Sequence, residues 1–226
     1  MLIQLQQIWR YVELRETLMS NQRFVFSRED LLKERSLWDV YKIARLTPAN
    51  GFNVAVTLIV FFVCIVYCIF VGTDQYVVLG LLRQTTTDAI AFSTSILGFL
   101  VAGFTICVSS KSEIFFEMAK VERDDTGVSY LKYNLSIFLL VFIHYLAFTV
   151  LCVSIRVFFA SGGPGGVFLR SIPVSSESLG LIRSVGISLV FVGFVTWFFY
   201  ILMLLKSFIF NVYHIVMTGI ALTIDD

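Results

Sequence analysis

"STSILGFLVAGFTICVSS", residues 93–110, contains no charged side chain, yet half of its residues are Ser, Thr, Gly or Ala. The uncharged run around it extends over residues 89–110, from Asp88 to Lys111. As a helix rising 1.5 Å per residue, such a run is about 33 Å long. That matches the roughly 30 Å of hydrocarbon in a bilayer.

Three more uncharged runs cover residues 46–73, 133–155 and 184–205. Lipid offers no partner to a free N–H or C=O, so each run must cross as a helix. The reading is four spans, at 52–72, 89–110, 133–155 and 184–205. Composition points the same way. The chain is 58% hydrophobic and only 15% charged, against about 25% charged in soluble domains. The predicted fold class is all-α: an integral membrane four-helix bundle with cytoplasmic helical extensions, assembled as a homo-oligomer. The domain reading is an arm over 1–51, a four-span domain over 52–222 and a short tail over 223–226. A net charge of +1 gives no broad basic field for nucleic acid, so the expected partners are the bilayer and other copies of the chain.

Lys and Arg set the expected orientation. Residues 1–45 carry eight, the loop 111–132 carries four, and Lys206 closes the fourth span. The opposite side has only Arg83, Arg156, Arg170 and Arg183. The positive-inside rule then places both termini in the cytoplasm, and in a bacterium the protein sits in the inner membrane. The first residues lack the apolar core and cleavage site of a signal peptide.

The arm reads as amphipathic helices. Leu5, Ile8, Trp9 and Val12 share one face. A second helix is predicted from Ser27 as N-cap, with Asp30 at its third position and Trp38 and Tyr41 on one side. "QRFVFS" between them suits a short strand. Such helices lie on the membrane surface or pack on their own protein. In the loop 111–132, Glu113, Glu117 and Lys120 have helical spacing on a solvated face, available as a cytoplasmic mouth or for docking a soluble partner. "DDTG" is a turn, and "SGGPGGVF" reads as a flexible loop on the far side. After Lys206 the chain stays uncharged for sixteen residues. This predicts a helix over 207–222 that either bends near Asn211 or Gly219 or projects and packs on other elements.

The small residues of the second span fall at one spacing. Ala91, Ser95, Gly98, Ala102, Thr105, Ser109 and Ser112 recur in alternating steps of four and three. That places them on one helix face, and Asp88 continues the line outward. One reading is close helix packing, which small side chains permit in membranes. The other is a pore in which copies of this helix surround an axis, the hydroxyls face water and Asp88 forms a carboxylate ring at the outer mouth.

Other chemistries find little support. Haem needs two axial ligands at one depth, and His144 and His214 lie at different depths. Cys64 and Cys68 share a face without a third soft ligand. All four cysteines fall inside spans, so free thiols are expected. Asp124 and Asp125 sit in a turn. The expectation is no enzyme, no cofactor and no metal. The predicted spans also contain no Asp, Glu, Lys or Arg, which argues against ion-coupled transport.

"FSTSILGFLVAGFTICVSSKSE" followed by "SIFLLVFIHYLAFTVLC" resembles the small four-span, RexB-like membrane proteins of phage exclusion and anti-phage defence. The likeness lies in a small-residue second span that runs into a charged helix, over residues 84–155. The long arm and the C-terminal extension depart from that pattern. The resemblance implies an inner-membrane channel that depolarises an infected cell, or a sensor that recruits a cytoplasmic partner; it assigns no functional residues. The leading expectation is therefore an oligomeric passive ion pore. Its rival is a non-conducting scaffold that docks a cytoplasmic effector.

Overall fold

A computed structural model describes residues 33–45, 50–71, 74–109, 115, 118, 119, 122, 123, 127–171 and 176–224. Among the described residues six helices carry the fold: α1 (Leu37–Ala44), α2 (Gly51–Val71), α3 (Gln75–Ser109), α4 (Tyr130–Phe158), α5 (Pro164–Ser171) and α6 (Ser176–Ile224). Two short strands, β1 (Glu122–Arg123) and β2 (Val128–Ser129), pair antiparallel between α3 and α4. Four helices, α2, α3, α4 and α6, are long and apolar enough to cross a membrane. The chain is an all-helical, multi-pass membrane protein.

The three-helix core is α3, α4 and α6, and α2 lies along α6 with little contact to α3. Phe148 is the hub of that core. It has no exposed surface and stacks on Phe194 at 5.3 Å and on Phe198 at 5.5 Å, with Trp197 edge-on at 5.9 Å. Phe104, Phe138 and Phe208 form a second aromatic cluster toward the arm side.

On α2, among the described residues, only Asn53 and Cys64 are buried. Its outward face carries Leu58, Ile59, Phe62, Val63 and Phe70, the last 86% exposed. A helix so apolar on its open side suits contact with lipid. Its attachment to α6 is polar. The Asn53 amide donates to the Met203 carbonyl at 3.2 Å and to the Ser207 hydroxyl at 2.8 Å. The Lys206 ammonium donates to Asn53 Oδ1 and lies 4.2 Å from the centre of the Phe52 ring. Asn53→Leu should lower stability by about 1 kcal/mol, the scale of interhelical hydrogen bonds in membranes. Unfolding in mixed micelles would read this as a lower midpoint; an unchanged midpoint would remove the clamp from the account.

Helix ends follow local chemistry. The Asp74 carboxylate accepts from the N–H groups of Tyr76 and Val77 and starts α3. The Ser129 hydroxyl accepts from Lys132 N and starts α4. Of the turn predicted at "DDTG", Gly127 directly precedes β2 and has φ 64°; residues 124–126 lie outside the described residues.

Two sequence expectations change, and a third had left two alternatives. First, α1 is capped by Ser36, whose hydroxyl accepts from Asp39 N at 3.2 Å, and residues 33–35 are not helical. A single helix from Ser27 to Ala44 is therefore excluded. Second, "SGGPGGVF" is an ordered turn that leads into α5. Gly162 takes φ 73°, a conformation glycine tolerates, and Pro164 opens α5 with the fixed φ that suits a first helical position. A Cβ on Gly165 would meet the Phe158 ring at 2.5 Å, so the turn packs against the end of α4. Of the two readings of the C-terminal stretch, α6 takes the projecting one and stays helical through Asn211 and Gly219. It continues about 27 Å beyond Lys206 and exposes Ile209, Val216 and Met217.

α1 lies against α4. Glu34 and Lys132 form an ion pair that is largely buried. Tyr41 stacks on Trp38 and meets His144, which in turn meets Tyr200. Leu37 and Trp38 stay more than half exposed. Of the two sequence readings of this helix, packing on its own protein is what one face does, and the other face leaves the Trp38 ring exposed. The Asp39 carboxyl is held below the usual carboxylate range, first by the Ser36 hydroxyl and then by Lys42. A depressed acid supports its helix above its unfolded pKa, and that support is lost as pH falls through the lowered value. The arm positions Leu5, Ile8, Trp9 and Val12, and "QRFVFS", lie outside the described residues.

Candidate functional site: the open face of α3

α3 is amphipathic in an unusual sense. Val78, Leu82, Ala89 and Leu100 point into the core and are buried. Asp88, Ala91, Ser95, Gly98, Ala102 and Thr105 are all exposed. At 100° per residue the two sets lie on nearly opposite sides of the helix. Among the described residues the stripe therefore makes no close helix packing within one chain. A Cβ built on Gly98 meets nothing within 4 Å. Ser109 ends α3; Ser112, Glu113, Glu117 and Lys120 lie outside the described residues.

The hydroxyls of the stripe have a direction. Ser95 donates to the Ala91 carbonyl and Thr105 to the Val101 carbonyl, each at 2.9 Å. Beside them, Thr87 and Thr94 donate to Arg83 and Ile90. With the hydroxyl protons spent inside the helix, the oxygen lone pairs remain for whatever faces α3. The Gln84 amide donates to both Asp88 oxygens, at 3.2 and 3.3 Å.

The depth of Asp88 revises the sequence reading. α3 begins at Gln75, well before the first residue of the uncharged run. Tyr67 of α2 packs on Phe191, and Phe92 of α3 packs on Phe198. These two contacts place Asp88 about 10 Å inside the level where α2 ends. Asp88 thus stands part-way along the span rather than at its mouth. Arg83 lies nearer the end, with its Nε donating to the Phe159 carbonyl at 2.8 Å. The span of α3 therefore contains ionisable groups, because the helix continues through polar residues that the charge-bounded run had excluded. With Arg83 and Asp88 inside it, the span no longer speaks against ion-coupled transport.

Sequence periodicity brought the stripe together but missed Gln84, Thr87 and Thr94, which border it. Gln84 lies four residues before Asp88 and continues the alternation, whereas Thr87 and Thr94 sit outside it. His144, weighed for haem, is packed between Tyr41 and Tyr200. Cys64, Cys68 and Cys152 are free thiols. Compared with protein-family models, curated proteins and solved structures, the chain matches none.

Proposed function

We propose that the protein is an oligomeric, passive ion-conducting pore in which α3 of each copy faces a common axis. One observation carries this reading. The outward faces of α2 and α6 are mostly apolar, whereas that of α3, beside the exposed Tyr76, Leu81, Phe99 and Val101, carries Asp88, Ser95 and Thr105 among small residues. A carboxylate about 10 Å inside the span is costly against lipid and belongs beside water or protein. Copies arranged with α3 inward meet that requirement and leave the apolar faces of α2 and α6 to the bilayer.

The chemistry of the face favours cations. Its hydroxyls present oxygen lone pairs, and Asp88 adds a ring of negative charge. Asp88→Asn should reduce the preference for cations over anions severalfold in planar bilayers. An unchanged reversal potential under a salt gradient would separate Asp88 from the path. The Lys and Arg asymmetry supports an inner-membrane location with the arm in the cytoplasm. The resemblance to phage-exclusion proteins supports a role in depolarising an infected cell.

Purified protein in liposomes tests the reading through ion flux. The rival scaffold draws support from α6, which extends far beyond Lys206 with exposed apolar residues. Absence of flux together with tight binding of a soluble partner to that projection favours the scaffold.

A further inference from the structure

α2 marks where the bilayer falls along the other helices. Its 21 residues make a helix about 31 Å long, the thickness of the hydrocarbon layer. The exposed side chains on it are apolar from Phe52 to Phe70. Asn53 bonds α6 between Met203 and Ser207, and Tyr67 packs on Phe191. The hydrocarbon therefore accompanies α6 from about Ile187 to about Ser207.

α1 comes down to the arm-side edge of that layer. Glu34 pairs with Lys132 near the start of α4. Tyr41 meets His144 of the same helix at 6.1 Å, and His144 meets Tyr200 of α6 at 5.4 Å. His144 lies about 18 Å further along α4 than Lys132, and Tyr200 about 10 Å inside the level where α2 begins. The segment from Glu34 to Tyr41 thus starts outside the hydrocarbon and ends level with the first turns of α2. Trp38 falls between the two and stacks on Tyr41 at 5.3 Å. Its exposed ring, with exposed Leu37 beside it, occupies the headgroup layer, where tryptophan is favoured.

The same layer carries positive charge. Trp38, Lys42 and Arg45 recur at helical spacing on one face of α1. Glu34 is taken up by Lys132 and Asp39 by Lys42, while Lys33, Arg35 and Arg45 are exposed. Two cations are seated on aromatic rings at this edge. The Arg45 guanidinium lies 6.0 Å from the centre of the Tyr41 ring, and the exposed Lys206 ammonium 4.2 Å from that of Phe52. Phe52 opens α2 and Tyr41 closes on α4, so both cations stand where hydrocarbon gives way to headgroups.

We propose that the exposed face of α1, with Lys206 at the same level, binds acidic phospholipid: Leu37 and Trp38 enter the leaflet, and Arg45 and Lys206 hold lipid phosphates. Charge complementarity and depth together select this occupant. A neutral lipid would satisfy the apolar side chains and leave the cations without a counter-charge, whereas an acidic headgroup above an acyl chain matches both. A soluble acidic protein would have to displace lipid at this level to reach Trp38. The assignment stands whether or not α3 lines a pore.

Native mass spectrometry of the full chain, released from micelles holding equal phosphatidylglycerol and phosphatidylcholine, tests the charge requirement. The natural chain should retain the acidic lipid over the neutral one by about fivefold or more. Arg45→Gln combined with Lys206→Gln should bring that ratio within about twofold. Arg156→Gln, at an exposed cation in the last turn of α4, should leave it unchanged. Equal retention of the two lipids by the natural chain, or a preference that survives the double substitution, would overturn the proposal. Depth is read separately, with Trp38 left as the sole tryptophan by Trp9→Phe and Trp197→Phe. Phospholipid brominated along its acyl chains should quench Trp38 in nanodiscs by about half or more. An unquenched Trp38 would mean that water or another protein surface covers it, and would also overturn the proposal. Should the substituted chains fail to fold, the lipid ratio of the natural chain decides.

Discussion

Gly98→Leu is expected to leave the single chain folded and to abolish its assembly and conductance. Among the described residues nothing lies within 4 Å of a Cβ at Gly98, which is exposed on its own bundle, so a larger side chain starts into open space. Helix content and monomer stability should stay near those of the natural chain. If α3 faces other copies around an axis, four added carbons per subunit crowd the narrowest, smallest-lined level. Ion flux should then fall by about tenfold or more, with a loss of oligomer in mild detergent. Full flux and an unchanged oligomer would mean that this face looks onto lipid.

The largest effect on stability is expected at Phe148. Its ring is fully buried and touches three aromatic rings of α6. Phe148→Ala removes those contacts and leaves a cavity between α4 and α6. Lipid gives no hydrophobic force between helices, so van der Waals packing carries the association, and a cavity strikes at that term directly. The expected loss is about 3 kcal/mol, read as a lower unfolding midpoint in mixed micelles. Phe70→Ala, at a ring 86% exposed, is the control and should change stability by less than about 0.5 kcal/mol. Equal losses at the two positions would contradict the assignment of core and lipid faces.

The four spans were legible because lipid imposes one rule on every backbone group, and freedom from charge reports it. The ends were not. α3 begins at Gln75 because Asp74 caps it there, and it continues through Thr85 and Thr87, whose hydroxyls bond back to the carbonyls of Leu81 and Arg83, although a charge-bounded run stops at Asp88. The start of α1 shows a different limit. Ser27 and Ser36 are each followed three residues later by Asp, so the local capping signal is the same at both. What Ser36 adds is tertiary: Glu34 reaches Lys132, and Ala44 is buried. "SGGPGGVF" was read as loose because glycine raises chain freedom, whereas here the glycines permit close approach to Phe158. Periodicity assigned the stripe residues to one face of α3. It carried no information on whether that face meets a helix of the same chain, and only the positions of α4 and α6 on the other side answered that.

Thiol accessibility on α3 and α2 tests the central claim most directly. The four native cysteines are first replaced, then single cysteines are placed at Ser95 and at Leu58. The account predicts that Ser95→Cys reacts with a charged, membrane-impermeant thiol reagent and that conductance drops on modification, while Leu58→Cys stays inert in lipid. An inert Ser95→Cys, or equal reaction at Leu58→Cys, would contradict a water-facing α3.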